Sequence, residues 1–259
     1  VRDLNSLIDA LNAAYVQQGY ITSRAYLPEQ KLSSGHLRIV VIEGKLTELK
    51  LEGRPTRLAI AMAFPALHGK ILNLRDLEQG IEDMNRLSHW GARMRIIPGA
   101  KAGTSTVVIS APKHGVLHGQ VWFDNYGQKI TGQETGHAML TAENPLGLLD
   151  LWSVEYDHSL VGQAGQRGTS YLSVNGSIPF GYWTVFGSWW HSEDEYPLRG
   201  LSDLYHLSGG RRDWRLGISR VLLRNSLGIT SFQVSYERKS FGSEINHTVI
   251  DTETARQSF

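Results

Sequence analysis

The ten histidines are the residues of this 259-residue sequence with the most obvious capacity for chemistry. A neutral imidazole can bind a metal or relay a proton, but nothing in their spacing spells out either use. The sequence has no His-Glu-x-x-His pair, no Gly-x-Ser-x-Gly elbow and no Walker-type phosphate loop. Glu134 and His137 fall in a strand pattern, not on one helix face. Gly162, Gly165 and Gly168 lack the strand-then-helix context of a dinucleotide site and read more simply as an outer loop. There is no cysteine, which excludes disulfides, thiolate zinc sites and cysteine nucleophiles. The expectation is no catalytic residue, no metal, no cofactor and no enzyme.

Charge and hydropathy narrow the classes further. With 26 Lys and Arg against 25 Asp and Glu, nothing supports a nucleic-acid partner, which normally wants a basic face. Val1 opens the chain with no basic n-region and no apolar h-region, so the sequence reads as a mature form or an internal fragment. The longest strongly apolar run, Leu58 to Leu67, is about half the ~20 residues a spanning helix needs, and Pro65 interrupts it. Any membrane crossing must therefore use β-strands.

The first hundred residues mix helix and strand. Leu4, Leu7, Ile8, Leu11, Ala14 and Tyr15 recur at helical spacing, and Gly19 sits where a C′ glycine stops a helix. Strands are predicted over Tyr20 to Leu27 and Leu37 to Glu43, around a loop from Pro28 to Gly35. A second unit follows: a strand over Leu46 to Leu51, a helix over Arg57 to Leu67, and a helix capped by Asn73 with Asp76 at the capping-box position. Leu74, Leu77, Ile81, Met84 and Leu87 form the apolar face of that second helix. Strands over Ala92 to Ile97 and Thr106 to Ser110 close the order β-α-α-β-β.

After about Pro112 the texture changes to long strands. Leu117, Val121 and Phe123 alternate with His118, Gln120, Trp122 and Asp124, and similar alternation recurs around Val154, Val174 and Val234. One face is apolar and the other polar enough to line a wet lumen. Six of the seven tryptophans lie in this part, which suits interfacial girdles, although composition alone fits a soluble β-sandwich equally. Strand lengths near 9 to 11 residues favour a barrel. So do tight turns at Asn144 to Gly147, Pro179 to Gly181 and Arg224 to Gly228, against longer loops near Leu160 to Gly168 and Glu193 to Arg212. Arg220 shares the apolar face, and its place just before a short turn puts it near the periplasmic interface, where the cost is small.

These segments resemble a known family. The stretch from Gly19 to Gln30 resembles the end of the first POTRA domain in two-partner-secretion transporters, the exporters of haemolysins and filamentous haemagglutinins. Leu72 to Gly80 with Met84 to Leu87, carrying Asn73, Asp76, Gln79 and Asn85, looks like the second helix of the second POTRA domain. Asp124-Asn125-Tyr126-Gly127 resembles the first barrel hairpin, and Asn144-Pro145-Leu146-Gly147-Leu148 the turn after the second barrel strand. Glu143 departs from the family's Asp. The family's pore-lining Val-Arg-Gly-aromatic loop does not occur, and about seven barrel strands can be counted where the family has sixteen.

The resemblance implies an α+β fold of POTRA modules followed by the N-terminal part of an antiparallel transmembrane β-barrel. It divides the chain into the C-terminal part of a first POTRA (1–45), a second POTRA (46–113) and incomplete barrel strands (114–259). It also implies a piece of a longer outer-membrane protein with its POTRA domains in the periplasm. Such a protein exports a large exoprotein of the haemolysin, adhesin or contact-dependent-inhibition type, recognised through its N-terminal secretion domain, with outer-membrane lipid around the barrel. The substrate-binding expectation is the second module's edge strand, Arg93, Met94, Arg95, Ile96 and Ile97, beside the polar face of the Leu74 to Leu87 helix. Arg93 and Arg95 alternate with Met94 and Ile96, and so read also as merely the solvated face of a half-buried strand. An assembly factor of the same superfamily and a soluble periplasmic binding module remain alternatives; in the latter, residues 114–259 would be soluble without detergent.

Overall fold

The computed structural model describes residues 2–30, 35–53, 56–65, 67, 69–112, 117–160 and 167–258. They divide into two compact units. The first holds 1–114 with the turn segments 179–182 and 221–231, and the second holds the remainder.

In the first unit, helix α1 (Arg2–Gln17) stops as its sequence predicts. Gly19 takes φ +90°, its N–H donates to the Val16 carbonyl, and the Tyr20 N–H donates to the Tyr15 carbonyl. This pair of bonds is a Schellman cap. The Gly19 carbonyl then accepts from the Leu74 N–H, and Asn73 Nδ2 donates to the Gln18 carbonyl, tying the two modules together. A Cβ on Gly19 would lie 2.4 Å from Asn73 Oδ1. Gly19→Ala should therefore cost about 1–2 kcal/mol, from the positive φ and the displaced cap, read as a lower urea midpoint for this unit.

The strands predicted on either side of the Pro28 loop are shorter than expected. β1 (Arg24–Tyr26) and β2 (Val40–Ile42) form a two-stranded antiparallel ribbon. Tyr20 to Ser23 is a turn, with Ser23 N–H donating to the Tyr20 carbonyl. Residues 31–34 of that loop lie outside the described residues.

The second module has the order read from sequence: β3 (Lys45–Gly53), α2 (Arg57–Ala63), α3 (Leu74–Asn85), β4 (Arg93–Pro98) and β5 (Thr104–Ala111). α2 ends before the predicted Leu67 because Phe64 precedes Pro65 and leaves the helical region (φ −127°, ψ 59°). Its sheet order is β3-β5-β4, with β3 parallel and β4 antiparallel to the central β5. Val107, Val108 and Ile109 of β5 are buried, and the core against the helices contains Leu46, Ala59, Phe64, Leu72, Leu77, Met84 and Leu87. Ile81 is only half-buried.

The second unit is an eight-stranded antiparallel meander. It comprises β6 (Leu117–Asp124), β7 (Thr135–Glu143), β8 (Leu151–Ser159), β9 (Gly168–Phe180), β10 (Trp183–Arg199), β11 (Leu204–Arg224), β12 (Ile229–Ile245) and β13 (Thr248–Ser258). The sequence suggests about seven strands and the structure has eight; the last, β13, follows a turn at Asn246 and His247, both at positive φ. The segment Glu193 to Arg212 is not a loop. β10 and β11 stay paired from Glu193↔Gly210 out to Arg199↔Leu204, leaving only residues 200–203 unpaired. Gly162 and Gly165 lie outside the described residues.

Alternation along the strands sorts the two faces. Val121, Phe123, Leu140, Trp152, Val154 and Tyr156 are exposed on one, while Asp124, His137, Ser153 and Asp157 lie less exposed on the other. Trp152, Trp183, Trp189 and Trp214 share the apolar face, as an interfacial girdle requires. Trp122 and Trp190 do not. Trp122 stacks on His137 at 4.7 Å, and Trp190 meets Tyr171 and the Arg211 guanidinium on the polar face.

Candidate functional site

The predicted edge strand is an edge. β4 pairs only with β5, from Arg93↔Ser110 to Pro98↔Ser105, so its other side carries unpaired N–H and C=O groups among the described residues. Such a row is a template for one more strand. Pro98 lacks an N–H and ends it. Arg93, Arg95 and Ile97 are exposed, while Met94 and Ile96 are half-buried. Arg95 reaches across β5 to Glu52 of β3 at 3.2 Å, with both side chains more than half exposed. A pair this exposed is worth at most about 1 kcal/mol and yields readily to a competing ligand. β3 forms the sheet's other edge.

The polar face of α3 is not free, contrary to the sequence expectation. Within the first unit Tyr182 Oη donates to Asp76 Oδ1 at 2.6 Å. Arg224 donates through Nε and Nη2 to Gln79 Oε1 at 3.2 and 2.9 Å, and also bonds Glu82. Gln79 Nε2 donates to Asp83 Oδ1 at 3.0 Å and to the Gly181 carbonyl at 3.3 Å. The turns 179–182 and 221–231 thus occupy the ground predicted for a client, which leaves the β4 edge.

Buried beneath them is Asp83, 3 % exposed, whose Oδ2 has no hydrogen-bond partner. Burial pushes its carboxyl up to about 7, against the opposing effects of the Gln79 hydrogen bond and the Arg86 charge. Sequence reading gave no sign of this group, since an acid in a helix reads as solvated.

The remaining motif residues build local structure. Asn73 caps α3 by accepting from Arg75 N–H at 2.8 Å. Asn85 exchanges two bonds with the Ala92 backbone, at 3.1 and 2.6 Å, and so fixes the entry to β4. Asp124 Oδ1 accepts from Tyr126 N–H, bending the chain at Asn125, and Gly127 N–H donates to the Gln133 carbonyl.

In the turn after β7, Asn144 holds φ 56° and Gly147 φ 80°, and Asn144 Oδ1 accepts from Leu149 N–H at 2.7 Å; Pro145 and Leu146 form its tip. The organising group there is one the motif did not include. Fully buried Asp150 accepts from the N–H groups of Leu146 and Leu148 and from Trp152 Nε1 at 2.7 Å. Asp150→Ala should cost about 2–3 kcal/mol by stranding these donors, seen as a lower urea midpoint of the refolded barrel strands; Asp150→Asn should cost less.

Among the described residues, an arrangement that resembles catalytic machinery lies on the polar face. His137 bridges Asp157, at 2.8 Å from Nδ1, and Asp124, at 3.0 Å from Nε2, linking β6, β7 and β8. In this geometry the Nδ1 hydrogen bond ties β7 to β8, and Nε2 stands within ion-pair distance of the Asp124 carboxylate on β6.

A POTRA module followed by a meander apolar on one face defines a POTRA-plus-barrel protein, and comparison with known proteins gives the family. The haemolysin secretion/activation protein family ShlB/FhaC/HecB matches residues 103–259, a POTRA domain model 45–98 and a ShlB-type POTRA model 1–44. The chain belongs to this haemolysin secretion/activation family. Relatives include the outer membrane transporter CdiB of Dickeya dadantii, 33 % identical over 100 % of this chain and 46 % of the relative. The haemolysin transporter ShlB of Serratia marcescens is 31 % identical over 91 % of this chain and 42 % of its own length. The solved structure of CdiB from Escherichia coli superposes with a TM-score of 0.94 at 32 % identity, covering 99 % of this chain and 48 % of that one. CdiB from Acinetobacter baumannii shares the fold at a TM-score of 0.85 and 22 % identity, over 96 % of this chain and 47 % of that one. The chain spans about half the length of these relatives.

Proposed function

We propose that this chain supplies the client-receiving POTRA modules and the first barrel strands of an outer-membrane pore that moves a large secreted exoprotein from the periplasm to the cell surface. The observation that carries the reading is the open β4 edge in a POTRA module of a chain from this transporter family. Residues 1–45 and 46–113 form the periplasmic modules, and residues 114–259 enter the outer membrane. The exoprotein engages through its N-terminal secretion domain.

An unfolded, β-prone segment adds alongside Arg93, Met94, Arg95, Ile96 and Ile97. Backbone bonds supply its affinity, and the exposed Arg93, Arg95 and Ile97 side chains bias its selection. The reading involves no covalent step, nucleotide or cofactor, and no nucleic acid. Asn73, Asp76, Gln79 and Asn85, like the turn residues Asp124 to Gly127 and Asn144 to Gly147, are scaffold.

Site-specific photo-cross-linking during export tests this. A photoreactive residue at Ile97 or Arg95 should capture the exoprotein, whereas one at Lys50 on the opposite edge should capture several-fold less. Capture of unfolded barrel precursors from β4 would assign the chain to barrel assembly instead. Capture of exoprotein only from β3 would refute the edge assignment.

A further inference from the structure

The apolar face of the second unit is not uniform. Gly176 on β9 and Gly187 on β10 form the floor of a depression of about 430 Å³, whose walls include Trp152, Val185, Trp189 and Trp214. The Trp152 ring already covers Gly176, since a Cβ there would lie 2.5 Å from it. At Gly187 the nearest atoms to an ideal Cβ, the Arg215 carbonyl oxygen and Leu216 Cδ1, stand at ordinary contact distance, 3.6 Å, and no ring covers it as one covers Gly176. Gly176 lets the Trp152 ring settle onto β9, and Gly187 on the neighbouring strand lies in the slot left between Trp152 and the Trp189 and Trp214 rings, on a surface that meets hydrocarbon.

Below the slot, toward the short turns, the same face carries a cation. The register places Trp189↔Trp214, Gly187↔Leu216, Val185↔Ile218 and Trp183↔Arg220 in descending rows, about 7 Å apart. Arg220 is exposed, its guanidinium lies 4.7 Å over the Trp183 ring, and it has no carboxylate partner among the described residues. A lipid-facing arginine is tolerated near an interface and not at midplane. There it presents a planar donor fork suited to a phosphate.

We propose that this face holds one anionic glycerophospholipid of the periplasmic leaflet, with its phosphate on Arg220 and an acyl chain lying in the Gly176–Gly187 slot. Charge and depth select this occupant. The cation sits at the short-turn end of the strands, which is the periplasmic end in outer-membrane barrels, and phospholipid is the phosphate-bearing amphiphile of that leaflet. The inference rests on the membrane placement given above and not on export, so its test reads lipid binding alone.

The experiment is native mass spectrometry of the full-length protein in mild detergent, titrated with phosphatidylglycerol, with diacylglycerol lacking a phosphate, or with lipid A. Wild type should retain one phosphatidylglycerol well above diacylglycerol and lipid A. R220Q should weaken retention about tenfold, as expected for loss of a charge-assisted phosphate contact, while R220K keeps most of it. G187L, whose ideal Cβ stands at ordinary contact distance, 3.6 Å, from the Arg215 carbonyl and Leu216 Cδ1, places its side chain in the slot and should weaken both glycerolipids. Heat-modifiable gel migration verifies that each variant folds. Equal retention by wild type, R220Q and G187L would overturn the site, as would preference for lipid A. Should R220Q fail to fold, equal retention of phosphatidylglycerol and diacylglycerol by wild type would also refute it.

Discussion

Replacing Gly80 with leucine should unfold the second POTRA module while leaving the barrel strands assembled. Gly80 sits in the middle of α3, where glycine costs about 1 kcal/mol relative to alanine, so helix propensity alone makes alanine or leucine stabilising there. The packing reverses that sign. A Cβ on Gly80 would lie 2.1 Å from Phe64 Cε1 and 2.4 Å from its Cδ1, and the Phe64 side chain is buried at 4 % exposure where α2 meets α3. Neither helix can move away without opening the core around Leu77 and Met84. The cost belongs at or above the upper end of the overpacking range, about 3 kcal/mol. Gly80→Ala should show a smaller loss, and Phe64→Ala should partly rescue Gly80→Leu, because the two changes share one volume. Protease resistance of α3 across a urea titration reports both; a stabilised Gly80→Ala would show that the helices do not cross this closely.

The second large effect is pH-dependent. Asp83 holds its proton to about pH 7 in the folded state, whereas an aspartate in an unfolded chain releases it near 3.9. Between those values the folded state binds one proton more than the unfolded state, so stability falls as pH rises through this window and levels off above about 7. The full difference corresponds to about 4 kcal/mol. Glu82 adds to the cost of ionisation, while Arg86, Arg224 and the Gln79 amide lessen it. Asp83→Asn keeps an acceptor for Gln79 Nε2 and removes the charge. Its urea midpoint should exceed wild type at pH 8 and approach it at pH 4. Parallel pH profiles for the two proteins would contradict the burial argument.

The sequence carried the second module's order because its signals are local. Gly19 ends α1, Asn73 caps α3, and alternation marks β4; each is decided within a few residues. Barrel faces were legible for the same reason. What failed depended on partners far along the chain. Glu193 to Arg212 reads as a loop, yet ladder pairing carries both strands through all of it but residues 200–203. Asn246-His247, the turn before β13, is a weak turn signal. Arg224 lies 145 residues from Gln79, and no periodicity could reveal that α3's polar face is already occupied. Asp124, His137 and Asp157 meet only through register.

The central claim is that the second POTRA module receives an exported client, and the most direct measurement is export itself. The full-length protein, with and without residues 46 to 112, is co-expressed with the N-terminal secretion domain of its exoprotein, and that domain is assayed in the medium. Export that is present with the intact protein and lost with the deletion is the predicted result. Undiminished export after deletion, or no export from either form with other outer-membrane barrels depleted when the protein is removed, would contradict it.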